Sequence, residues 1–176
     1  WTHNIAIYAK GVAFGEPKNV KAPGVGSALA NFDLGRTGDG FWFQGRMIEA
    51  RHNIAASVNH GYVYFHRGSG MLPFDASNFE FPEALHFRKD VKVDDAPIRN
   101  FFGNEVFAAN VGFHMTKANT HQGHDVHTVL EKFKGWSVRE GMQIKYTAHY
   151  ILKDIDLIGK APQSFSEART GMTIGD

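Results

Sequence analysis

The run Met142-Gln143-Ile144-Lys145-Tyr146-Thr147-Ala148-His149-Tyr150-Ile151-Leu152 constrains the fold more than any other stretch. Side chains of an extended strand alternate between two faces, so Met142, Ile144, Tyr146, Ala148, Tyr150 and Leu152 share an apolar face. Gln143, Lys145, Thr147, His149 and Ile151 face the other way, a mostly polar set, as in an antiparallel sheet with one side in water. Further runs that read as strands cover 2–14, 28–34, 41–50, 53–58, 62–66, 85–93 and 106–115. In the first, Ile5 and Ile7 are expected inward, on one face with Trp1, His3 and Ala9. Gly- and Pro-punctuated stretches separate the runs, and Asn59-His60-Gly61 reads as a hairpin turn because Asn and Gly tolerate positive φ.

Fifteen Phe and nineteen Gly suit this reading, since aromatics favour strands and Gly favours tight turns. One segment breaks the pattern. Val126, Val129, Leu130 and Phe133 fall at i, i+3, i+4 and i+7, with Asp125 as cap and Gly135 as stop, which predicts a helix over 125–134. The expected fold is therefore all-β, an antiparallel β-sandwich or jelly-roll-like domain with one short helix. Its boundaries are expected at 1–159, with 160–176 as an extended polar C-terminal arm. No internal repeat is apparent.

The formal net charge of +1, without a basic block or an acidic tail, gives no footprint for nucleic acid. No apolar run approaches the roughly 20 residues of a membrane-spanning helix. There is no cysteine, which excludes disulfides, thiolate metal sites and Cys nucleophiles. The chain begins with Trp and not Met, so a processed or trimmed product is expected, removal of a secretory signal being one route.

Ten histidines stand out against this background. His121, His124 and His127 form the densest set, and at the expected helix start His124 and His127 face the same way. Imidazole ligates zinc, copper, nickel and iron. The same residues equally suit a solvated loop that caps the helix. His60 and His66 bracket one expected strand and share a face with Tyr62 and Tyr64, about 20 Å apart and too distant to chelate one ion together. Trp1 and His3 project side by side, so an indole and an imidazole would line one pocket. An unmodified indole nitrogen is a donor only, but oxidative ring opening to kynurenine would supply an amine and a carbonyl.

Trp1-Thr2-His3 with a distant second histidine, in a cysteine-free chain, resembles the copper-binding surface proteins of methane-oxidising bacteria, the CorA/MopE group. In that family two histidines and a Trp-derived kynurenine hold one Cu(I). The resemblance implies a secreted or cell-surface β-rich metal-binding protein without enzymatic turnover, with Trp1, His3 and His66 as ligands of copper. His121, His124 and His127 are the alternative metal set.

Other chemistries remain open. Asp33-Leu34-Gly35-Arg36-Thr37-Gly38-Asp39-Gly40 would wrap calcium, or simply form a polar turn. Glu49, Arg51 and His52 would supply acid–base chemistry if a cleft gathered them. Trp42, Tyr62, Tyr64 and Trp136 suit a sugar-stacking surface of a carbohydrate-binding or carbohydrate-active domain, and equally a core. A structural surface or coat subunit, assembled as a homo-oligomer, is the third class.

Overall fold

The structure, a computed structural model, describes residues 1–9, 11, 38–43, 45–65, 73–75, 90–92, 97–116, 127–145, 149–159 and 170–175. The first coil carries β1 (Ile5–Ile7) and β2 (Asp39–Phe43). The second carries β3 (Glu49–Arg51), β4 (Ile54–Ala56) and β5 (His60–Phe65), and is followed by an outlying antiparallel pair, β6 (Pro73–Asp75) and β7 (Asp90–Lys92). The third holds β8 (Asn100–Phe102), β9 (Glu105–Phe107) and β10 (Val111–Thr116). The fourth holds β11 (Thr128–Glu131), β12 (Lys134–Val138) and β13 (Glu140–Lys145). The fifth holds β14 (Tyr150–Lys153), β15 (Asp156–Gly159) and β16 (Thr170–Gly175).

Each strand pairs in parallel with its counterpart in the neighbouring coil. Sheet A takes β3, β8, β11 and β14, sheet B takes β1, β4, β9, β12 and β15, and sheet C takes β2, β5, β10, β13 and β16. A chain that visits three parallel sheets in cyclic order is a parallel β-helix, a solenoid whose core is the column of inward side chains.

Two of the three corners of a coil carry a recurring left-handed residue. Between sheets A and B a single residue adopts left-handed backbone: His3, His52, Gly103, Lys132 and Asp154, with φ between 52° and 64°. Tyr8, Ser57, Ala108 and Ser137 do the same between sheets B and C, with φ between 51° and 56°. Such a conformation disfavours side chains other than Gly, so something must hold it. At the first corner, backbone bonds between coils continue straight through: His3 N–H donates to Arg51 C=O, His52 to Phe102, Gly103 to Glu131 and Lys132 to Lys153. The next residue is inward, and in the first three coils it is asparagine. Asn53 Oδ1 accepts from Asn4 N–H and Nδ2 at 3.0 Å, and Asn104 Oδ1 accepts from Asn53 N–H and Nδ2 at 3.0 Å. Asn104 Nδ2 ends the ladder on the Ala50 carbonyl at 2.7 Å. Phe133 replaces asparagine in the fourth coil and packs against Phe101, Phe113 and Tyr62.

Sheet C carries a second repeated feature. Gly40, Gly61, Gly112, Gly141 and Gly171 occupy equivalent positions one residue before Phe41, Tyr62, Phe113, Met142 and Met172, which are in register. A Cβ on Gly112 or Gly141 would strike the carbonyl oxygen of the next coil's glycine. The large residues that follow then stack inward, with Phe41 on Tyr62 at a centroid distance of 5.1 Å and Phe101 edge-on to Phe113 at 5.2 Å.

The antiparallel sandwich or jelly-roll with one helix is thus replaced by parallel sheets. The corners explain the difference. The left-handed residue at a corner puts inward side chains three apart: Ala50 and Asn53, Phe101 and Asn104, Leu130 and Phe133. That spacing imitates a helix, and over the expected helix at 125–134 the described residues instead form β11, the corner at Lys132 and the first residue of β12. Asn59-His60-Gly61 is no hairpin, since it leads from sheet B into sheet C. The run from Met142 to Leu152 holds two strands in two sheets. Ile5 and Ile7 point out, both 65% exposed, and Ala6 points in. Part of the stretch expected as an arm, Thr170–Gly175, is β16, paired with β13.

The glycine column makes a position-dependent prediction. An alanine methyl at Gly61 would lie 2.5 Å from Val106 Cγ2 and 2.6 Å from the Gly112 carbonyl oxygen, whereas one at Gly171 meets nothing within 4 Å. Gly61→Ala is expected to cost about 1–3 kcal/mol by overpacking. Gly171→Ala should be neutral or gain up to about 1 kcal/mol. Equal effects on the urea midpoint would contradict the column. Asn53→Ala should cost about 1–3 kcal/mol by orphaning its ladder partners.

Candidate functional site

Side chains on the outer face of sheet C bring ionisable groups from successive coils together. Asp39 opens β2 and His60 opens β5, and the two are register partners. His60 Nδ1 lies 2.7 Å from Asp39 Oδ1, and the carboxyl group is fully enclosed. At this distance Nδ1–H is the donor to the carboxylate, and in the neutral ring Nε2 then carries the lone pair. One coil on, the His114 ring meets His60 edge-to-face, with centroids 5.3 Å apart and planes at 80°. Burial, reinforced by His60 and Lys145, pushes the His114 imidazole down from 6.5 to about 4, against the smaller opposing pull of Asp39 and Glu140. His114 is therefore neutral at physiological pH. In the fourth coil Gln143, the register partner of His114, donates from Nε2 to Glu140 Oε2.

Trp42 projects from β2 on the same outer side, 37% exposed. Its row continues through Val63, His114, Gln143 and Thr173, one residue per coil. This row, exposed at Trp42, buried and apolar at Val63 and polar from His114 onward, runs along the axis beside the Asp39–His60 pair.

The residues expected to carry function fall elsewhere. The Trp1 ring packs edge-on against Phe43 at 5.9 Å, while His3 stacks on His52 at 5.1 Å, at the corner between sheets A and B. The two rings therefore have different neighbours. His66, His121 and His124 lie outside the described residues, as does Asp33. His127 is exposed and meets His149 of the next coil at 5.4 Å. Among the described residues no three His, Asp or Glu side chains form a group that would cage a metal ion.

Glu49 pairs with Arg99 at 3.4 Å, while Arg51 and His52 both lie against the Phe102 ring. Of the four aromatics considered for sugar stacking, Tyr62 and Tyr64 are core. Tyr62 donates its hydroxyl to the Asn53 and Glu105 carbonyls at 2.6 and 3.1 Å. Trp42 and Trp136 are exposed, but on sheets C and B. His60 does not share a face with Tyr62, because the inward Gly61 column intervenes.

The Asp39–His60–His114 grouping has a signal in the chain. Asp39-Gly40-Phe41-Trp42-Phe43, His60-Gly61-Tyr62-Val63-Tyr64 and Val111-Gly112-Phe113-His114-Met115 are copies of one motif, and aligning them sets Asp39 beside His60 and His114 beside Val63. No family model, curated protein or solved structure matches this chain. Among the described residues no helix is long and apolar enough to cross a membrane.

The depressed His114 couples folding to pH. The unfolded imidazole takes up a proton near 6.5 and the folded one only near 4, so stability is full above about 6.5 and falls as pH drops through that window. After allowance for partial exposure, the loss is on the order of 2 kcal/mol. His114→Gln, in chelator-containing buffer, should flatten the melting temperature between pH 6.5 and 4 relative to the parent protein.

Proposed function

We propose that the outer face of sheet C binds a linear polysaccharide, laid along the solenoid axis. The carrying observation is the row of exposed Trp42, buried Val63, His114, Gln143 and Thr173, in register across the coils and flanked by the Asp39–His60 pair and Glu140. Neighbouring strands in a sheet lie about 4.8 Å apart, close to the advance of one hexose along an extended chain. The spacing of the coils therefore matches that of sugar units, with His114, Gln143 and Thr173 as polar tips for hydroxyl groups and the Trp42 indole as a stacking platform. The face needs no large groove, because a polymer is read by repetition along its length. Secretion or cell-surface placement accompanies this reading, since that is where such polymers are met.

Affinity electrophoresis and calorimetry against neutral and uronate-containing linear glycans test the proposal. At least one polymer should bind, and Trp42→Ala should weaken it about tenfold, equivalent to about 1.4 kcal/mol. Trp136→Ala, on sheet B, should leave binding unchanged. Failure of every polymer to bind, or an equal loss from both Trp variants, would refute it.

A further inference from the structure

We propose that His60 and His114 form a transition-metal site on the outer face of sheet C, with Asp39 as the carboxylate that orients His60. It goes beyond the glycan reading, and metal uptake is measured without any sugar.

Two observations carry it. The first is geometric. Two imidazoles that bind one ion at about 2.0–2.1 Å with a tetrahedral angle have ring centroids about 5 Å apart. His60 and His114 stand at 5.3 Å, with planes at 80°. The second is the Asp39 carboxylate, 2.7 Å from His60 Nδ1. A carboxylate behind a ligating histidine fixes ring and tautomer and raises the basicity of the remaining nitrogen, here Nε2.

The other histidine contacts are less suited. His3 and His52 stack nearly parallel, at 21°, on an exposed corner, and His127 is exposed beside His149. No carboxylate contact accompanies either pair among the described residues. With two protein ligands, the ion at His60 and His114 keeps positions open for water or for an oxygen of a bound molecule. Borderline ions that favour imidazole, such as zinc(II) and copper(II), fit this donor set.

The test uses chelator-stripped full chain titrated with zinc(II) by calorimetry at pH 7. One ion per chain is expected. His60→Gln and His114→Gln should each weaken binding at least tenfold, and Asp39→Asn about tenfold, the scale of lost outer-shell support. A His127→Gln/His149→Gln double variant should bind as the parent does. Melting curves of each apo variant separate a lost ligand from a lost fold, and a cobalt(II) spectrum of the parent, with its visible band reduced in His114→Gln, reports the ligand directly. No zinc uptake, or uptake that survives both single His variants and disappears in the double variant, would overturn the assignment.

Discussion

Left-handed corner residues hold the coil in shape, and every other regularity depends on them. An L-residue at φ near +55° is held against its own preference. In this chain the amides of His3, Tyr8, His52, Ser57, Gly103 and Lys132 donate to the neighbouring coil, so backbone pairing continues where the strand ends. The asparagine ladder does for the interior of the corner what backbone pairing does for the strands. Each buried amide satisfies a group in the adjacent coil, and the coils must stack in register for any of the bonds to form.

Registered stacking in turn makes the core and the surface into columns. Ala50, Phe101, Leu130 and Leu152 follow one another inside sheet A, while Ala6, Ala55, Val106, Gly135 and Leu157 do so inside sheet B. Small and large residues compensate across the interior: the fourth coil has Phe133 at the corner and Gly135 two residues on. Outside, the same logic sets Asp39 next to His60 and His114 one coil beyond. The candidate site is therefore a product of stacking, because its members come from different coils and no loop gathers them.

Much of the strand content was legible from alternation, and the absence of thiol chemistry was legible from composition. The repeat was harder to see. His3-Asn4-Ile5-Ala6 recurs as His52-Asn53-Ile54-Ala55, and the glycine motif recurs in every coil, yet segments of unequal length separate the copies. His52 and Gly103 are equivalent across a longer stretch than Gly103 and Lys132, so no fixed period appears. The helix expected over 125–134 failed for a related reason. Periodicity counts inward residues, and a corner with Leu130 and Phe133 both inward has a helix's spacing without a helix's hydrogen bonds.

The amino-acid sequence by itself determined that the chain would be strand-rich and closely turned, with many histidines and aromatics and no thiol. Local alternation and residue type depend on near neighbours, and those are written in the chain. Tertiary structure decided that the strands run parallel, that Ile5 and Ile7 face out while Ala6 faces in, and that His60 meets Asp39 and His114 instead of lying on one face with Tyr62. Pairing partner and register depend on contacts between residues tens of positions apart, and the corners that set them change the facing of side chains without changing their spacing in any recognisable way.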